Sequence, residues 1–211
     1  MDIKTERALK VADFLLQISA VKLSPEQPFT WASGIQSPIY CDNRKTLSYP
    51  HIRKELRDAF VATIRENYKD AEVIAGVATG GIAIGALVAE ALNLPFIYVR
   101  SEAKKHGLGN QVEGVLNAGQ KVVVIEDLVS TGKSSLTAVD ALREAKADIL
   151  GMVAIFTYGF AKASSAFEQA QCQLITLSDY DHLLDKAVQS AYINADQLSA
   201  LKAWKEEVGK S

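Results

Sequence analysis

The sequence predicts an α/β fold, a mostly parallel central sheet with helices on both faces and a small cap over one edge. Three observations carry this reading. From Val73 onward, short apolar runs alternate with stretches of helical period, the pattern of parallel strands joined by crossover helices. The strand runs are apolar at consecutive positions, as in Val122-Val-Val-Ile125, which suits strands covered on both faces. The chain has 211 residues, 48% hydrophobic and 23% charged, enough for one domain with a substantial core.

The elements follow in order. Residues 3–18 read as an amphipathic helix whose apolar stripe is Ala8, Val11, Ala12, Leu15 and Leu16. Residues 21–28 read as a connector broken by Pro25 and Pro28, and 29–31 and 39–41 as short strands either side of a turn at Ser33-Gly34. Residues 50–68 are helical, with Pro50 in the first turn, where a missing N–H costs nothing. Residues 73–78 form a buried strand, and Gly80 and Gly81 open a helix that runs to 92. Pro95 introduces a strand over 96–100. Residues 101–114 are polar, contain Gly107, Gly109 and Gly114, and read as a mobile loop. A strand over 121–128 leads into a helix ending near 146. A strand over 149–158, a helix over 161–170 and a strand over 172–177 come next, and helices over 179–189 and 196–208 close the chain. Right-handed crossovers bring the loops after Ala78, Arg100, Ile125 and Thr157 to one sheet edge, where ligands collect. The chain is expected to be a single domain over 1–211, with about 1–45 and the tail forming the cap.

Composition narrows the function. A formal net charge of −2 and a pI near 6.0 give no general affinity for nucleic acid. Cys41 and Cys172 have no metal-ligand spacing and read as two buried thiols of a reducing compartment. The first residues contain no apolar signal core, and no apolar run approaches a membrane span. A cytoplasmic protein that binds neither membrane nor nucleic acid is expected.

The most informative stretch is Val122-Val-Val-Ile-Glu-Asp-Leu-Val-Ser-Thr-Gly-Lys-Ser134. A buried strand ends in the carboxylates Glu126 and Asp127, and Leu128 and Val129 follow. Ser130, Thr131, Gly132, Lys133 and Ser134 then form a phosphate-sized loop at a helix N-terminus. Acids hold ribose hydroxyls or an ion's water shell, while free N–H groups and hydroxyls hold phosphate. A site with both suits a phosphorylated sugar. The segment Thr131-Gly-Lys-Ser134 is not a nucleotide P-loop, because Asp127 stands where that motif needs glycine.

Two further constellations fall in the same region. Thr79 and Gly80 sit in a glycine turn whose backbone could approach a diphosphate. Arg100, Lys104, Lys105 and His106 lie in or beside a glycine-bounded loop, suited to a lid. Its cations could neutralise a departing diphosphate, and His106 could donate to an oxygen.

The acid-pair stretch resembles the phosphoribosyl-diphosphate (PRPP) binding motif of type I phosphoribosyltransferases at all of its positions. Residues 29–44, with Phe29-Thr30, Ser33-Gly34, Ser37-Pro-Ile-Tyr40 and Asp42, resemble the N-terminal signature of the orotate phosphoribosyltransferase family. The likeness runs from the first helix to the closing helices. It implies the type I phosphoribosyltransferase fold with its hood, and Mg²⁺-dependent transfer of phosphoribose from PRPP to orotate in pyrimidine biosynthesis. It further implies that Glu126 and Asp127 hold the ribose hydroxyls, that 128–134 bind PRPP with the 5′-phosphate in the loop, and that Thr79 and Gly80 contribute. Arg100, Lys104 and His106 match diphosphate contacts, with Lys104, His106 and Asp127 catalytic. Ser130 and Tyr40 match orotate contacts. Mg²⁺ is expected to be held through PRPP rather than by direct protein ligands, and a homodimer is expected to share the 100–114 loop across its interface. The chain departs from the enterobacterial pattern at Ala32, Ser101, Thr79-Gly80 and Gly159, where that branch has Lys, a basic residue, Tyr-Lys and Arg. The alternatives are a purine-base phosphoribosyltransferase, against which 29–44 argue, and a PRPP-sensing regulator of nucleic acid, for which the chain has no basic module.

Overall fold

The computed structural model describes residues 2–31, 34–101 and 111–209. Its centre is a six-stranded sheet in the order β10-β9-β8-β5-β6-β7. These strands are β5 (Val73–Val77), β6 (Phe96–Val99), β7 (Val112–Glu113), β8 (Lys121–Val129), β9 (Asp148–Thr157) and β10 (Leu174–Asp179). The first five in that order run parallel, and β7 pairs antiparallel to β6 at the edge.

Three of the crossovers are helices, as the alternation predicts, α3 (Gly80–Leu92), α4 (Lys133–Glu144) and α5 (Ala161–Gln169), whereas the connection from β6 to β8 runs through β7. The sheet separates two apolar cores. One gathers α1 (Ile3–Gln17), α2 (Pro50–Asn67), α3 and α6 (Tyr180–Gln189), and the other gathers α4 and α5. Strand β8 shows why its sequence is continuously apolar. Val123 and Ile125 enter the first core, and Val122 and Val124 enter the second, as period-2 alternation demands.

Two small antiparallel pairs precede α2. Strand β1 (Val21–Leu23) pairs with β4 (Ile39–Cys41), and β2 (Phe29–Thr30) pairs with β3 (Gln36–Ser37). A 3-10 helix, Asn43–Ser48, links them to α2. The last helix, α7 (Ala195–Gly209), returns to this region: Trp204 Nε1 donates to Gln36 O at 3.1 Å and Gln197 Nε2 to Glu26 at 3.0 Å. Helix α1 instead lies against α6 and β10, where the buried Ser178 hydroxyl donates to Ala8 O at 2.9 Å.

Several sequence expectations need correction. The 21–28 segment contains β1, because three residues suffice for a strand where β4 supplies the ladder. The strands expected over 29–31 and 39–41 do not pair with each other: Phe29 pairs with Ser37, and Ile39 pairs with Leu23. Pro38 falls between Gln36–Ser37 and Ile39–Cys41 and divides them between two ladders. The polar 101–114 segment ends in β7, which forms because Val112 and Glu113 complete the edge of β6. Residues 102–110, read as mobile, lie outside the described residues. Among the described residues no helix is long and apolar enough to cross a membrane.

Candidate active site at the carboxyl edge of the sheet

Strand β8 projects beyond its neighbour. Its pairing with β5 ends at Gly76↔Ile125, so the residues after Ile125 extend past β5. Alternation then separates the two acids. Glu126 turns towards α4, where Oε2 accepts from the Ser135 hydroxyl and Oε1 from the Asp127 N–H, both at 3.0 Å. Asp127 turns towards α3, against Gly80.

That contact explains the glycine pair. A Cβ on residue 80 would collide with the Asp127 carboxylate, and one on residue 81 with Ile125 O. The missing side chain of Gly80 is the space that Asp127 occupies, and Gly80 also lines the cavity that the acids face. Gly132 is needed for a different reason. It adopts φ +82° at the start of α4, a left-handed conformation that glycine takes without strain.

Burial dominates the electrostatics here. Glu126 is 5% exposed. Loss of water, reinforced by the Asp127 charge, pushes its carboxyl up to about 8. Burial also raises Asp127, while its hydrogen bonds and the nearby Arg44 guanidinium oppose that rise.

The acids, the loop and the glycine turn surround a cavity of about 730 Å³. Thr79, Gly80, Arg100, Glu126, Asp127, Leu128, Ser130, Thr131, Gly132, Lys133 and Ser134 all line it, so the structure brings these predicted residues together. Helices α3 and α4 both begin at this cavity without a side-chain cap, which leaves their first N–H groups available to an anion. Arg100 pairs with Glu113 at 3.6 Å at the stem of the loop. Val129 does not line the cavity. Its side chain is buried in the core beneath α4 and α5, and its carbonyl accepts from the Thr157 hydroxyl at 3.0 Å. Lys104 and His106 lie outside the described residues.

A smaller cavity of about 270 Å³ adjoins the first. Thr30, Trp31, Tyr40, Cys41, Leu128, Ser130 and Tyr158 line it, and Cys41, Leu128 and Ser130 line both. Tyr40 is 40% exposed and leans on Phe29 with ring centroids 5.7 Å apart. Gly159, where the departure from the enterobacterial pattern was noted, is not among its lining residues. A Cβ there would lie 3.4 Å from Lys205 Nζ, which pairs with Asp181.

Sequence reasoning missed several contributors. Asp42 and Arg44 line the large cavity, and Arg44 Nε donates to Asp42 at 2.7 Å. Asn43 is buried and donates from Nδ2 to the Asp127 carbonyl at 2.6 Å. Ser135 lies one residue beyond the recognised motif. All but Ser135 fall in or next to the N-terminal signature, so proximity to it was the available signal. The thiol of Cys41 donates to Asn43 Oδ1 at 3.2 Å, and burial pushes its pKa up. Both cysteines are free.

A search of family models matches the phosphoribosyl transferase domain over residues 46–182. An orotate phosphoribosyltransferase of Streptococcus mutans is 55% identical over 199 residues, covering 94% of this chain and 95% of that protein. One of Porphyromonas gingivalis is 53% identical, covering 93% of each. Among solved structures, the orotate phosphoribosyltransferase of Aeropyrum pernix superposes with a TM-score of 0.76 at 27% identity, covering 85% of this chain and 98% of that one. The Leishmania donovani UMP synthase gives a TM-score of 0.80 at 26% identity over 95% of this chain, which spans 42% of that longer chain. A Leishmania donovani adenine phosphoribosyltransferase shares the fold, with a TM-score of 0.61 at 21% identity over 82% of this chain and 80% of that one. The fold alone therefore does not select the base.

Proposed function

The chain belongs to the orotate phosphoribosyltransferase family, and on that premise we propose how its residues divide the reaction. The enzyme transfers the phosphoribosyl group of PRPP to orotate, giving orotidine 5′-phosphate and diphosphate in pyrimidine biosynthesis. The observation that supports the assignment of roles is the pair of adjoining cavities. The large one combines an acid pair with two uncapped helix N-termini, and the small one is walled by aromatic side chains.

PRPP occupies the large cavity. Its 5′-phosphate lies in the loop of Ser130, Thr131, Gly132, Lys133 and Ser134, where N–H groups and hydroxyls converge. Asp127 takes the ribose hydroxyls. Glu126 acts mainly from behind: both of its oxygens already accept protein donors, so it holds the strand end in place. Thr79, Gly80 and Arg100 face the diphosphate end, and Leu128 and Val129 support the loop from the strand.

Orotate enters the small cavity against Tyr40 and Ser130. The C1–O bond of PRPP breaks towards a ribosyl cation-like centre, the electron pair leaves with diphosphate, the orotate nitrogen bonds to C1, and the proton of that nitrogen passes to the departing diphosphate or to water. Catalysis then requires charge stabilisation on the departing diphosphate rather than a protein nucleophile. Lys104 and His106 supply it from the loop, which closes over the site from the partner subunit of a homodimer. The stem of that loop is closed by Arg100 N–H to Gln111 O at 2.9 Å.

Among the described residues no three His, Cys, Asp or Glu side chains gather as a metal site. Because Glu126 is already engaged, the acid pair offers Asp127 alone. That donor set fits Mg²⁺ carried mainly by the oxygens of PRPP, since this ion keeps water and phosphate ligands. When bound, Mg²⁺ neutralises charge on the diphosphate. The free thiols and the metabolic substrates support a cytoplasmic setting.

The test is an absorbance assay with orotate, PRPP and Mg²⁺. Orotate consumption matched by diphosphate release, and lost on omitting PRPP or Mg²⁺, is the expected result. Turnover with adenine or another purine in place of orotate would overturn the base assignment.

A further inference from the structure

Four aromatic rings form a closed circuit behind the small cavity. Trp31 lies 5.2 Å from Tyr158 at an interplanar angle of 39°. Tyr158 stacks on Phe160 at 5.4 Å and 21°. Phe160 meets Trp204 at 5.9 Å, and Trp204 meets Trp31 edge-on at 5.8 Å and 86°. Trp31 and Tyr158 line the cavity, whereas Phe160 and Trp204 do not. The circuit joins the N-terminal segment, the end of β9 and the C-terminal helix α7.

Polar contacts set the orientation of both indoles. Trp31 Nε1 donates to Ile39 O at 3.0 Å, and Trp204 Nε1 donates to Gln36 O at 3.1 Å. Trp204 is also held by Tyr180, 6.0 Å away. Trp31 is therefore backed by a ring anchored in a different part of the chain, and its tilt against Tyr158 depends on that support. Aromatic pairs prefer edge-on or offset arrangements, so removing one ring changes the preferred angle of the next.

We infer that Trp204 is a positioning residue for the base: helix α7 sets affinity for orotate by bracing the Trp31–Tyr158 wall without touching the substrate. This rests on the reading that the small cavity takes orotate. A ring that merely fills the core would lower stability and leave the two substrates equally affected. A positioning ring acts on orotate alone, because the PRPP cavity shares no wall with Trp204.

The test compares Trp204→Ala and Trp204→Phe with the unaltered enzyme in steady-state kinetics. Trp204→Ala is expected to raise KM for orotate about 10-fold, the scale of one aromatic pair's geometry, with KM for PRPP within about 2-fold. Trp204→Phe keeps a ring edge against Trp31 and should recover most of the loss. It also leaves Trp31 as the sole tryptophan, whose emission should respond to orotate and not to PRPP. Should Trp204→Ala not fold, Trp204→Leu gives the same comparison. An unchanged KM for orotate, or equal changes for both substrates, overturns the inference. If the unaltered enzyme fails to use orotate, the functional reading itself falls and this inference with it.

Discussion

The side-chain amide of Asn43 donates to the main-chain carbonyl of Asp127 at 2.6 Å, joining residues 84 positions apart. Strand β8 outruns β5 at this point, so the Asp127 carbonyl is beyond the reach of that ladder. Asn43 stands in for the missing strand and ties the N-terminal pairs to the acid that faces the cavity. Replacing it with alanine leaves a carbonyl with reduced solvation and no donor. Asn43→Ala should lose about 1–3 kcal/mol of stability and raise KM for PRPP. Urea unfolding and PRPP kinetics check both, and an unaltered KM would show that Asp127 keeps its place without the bond.

A methyl group at position 80 would fall on the Asp127 carboxylate. Gly80→Ala should displace that carboxylate and lower kcat/KM for PRPP by ~100-fold, the scale on which small misplacements act. The Asp127→Asn variant should show a similar PRPP defect while its thermal unfolding stays close to that of the parent. Full activity in Gly80→Ala would mean that Asp127 is not held where the structure puts it.

Glu126 gives stability a dependence on pH. Its folded pKa, about 8, lies above the ordinary value of 4.5, so the folded state binds the extra proton. Its contribution is fully present below about 4.5 and is lost as pH rises through about 8. Glu126→Gln should reduce this slope to what Asp127 alone contributes, and unfolding midpoints measured across that window would reveal it. Parallel curves for parent and variant would rule out Glu126 as the source.

On the proposed leaving-group role, Lys104→Ala should lower kcat by ~100-fold, the scale of losing one preorganised charge contact. Stopped-time diphosphate release measures it. Unchanged kcat would remove Lys104 from the mechanism.

The site was legible where its residues are consecutive. Glu126, Asp127 and the loop to Ser134 form one uninterrupted stretch, and the change from apolar run to acids to small residues marks a strand end with few alternative readings. Parts built from distant positions were not legible. Nothing local in Asn43 says that a carbonyl in β8 lacks a partner, and Ser135 reads as an ordinary helix residue until alternation places Glu126 beneath it. Val129 joins the site through its place in the motif the stretch resembles, although its side chain belongs to the core. The long, continuously apolar strands were identifiable, whereas β1 and β7 were not. Those short strands exist because a neighbour offers a ladder, which propensity does not encode.

The wall of Cys41, Leu128 and Ser130, common to both cavities, has a consequence for inhibitor chemistry. Two adjoining compartments that share lining residues can be spanned by one short tether. A compound that joins a ribose-phosphate mimic to a flat ring would surrender its rotational and translational freedom once rather than twice. Its second half would bind at the high effective concentration set by the linker. Such a molecule would exploit the arrangement of the chambers, beyond the affinity of either fragment alone.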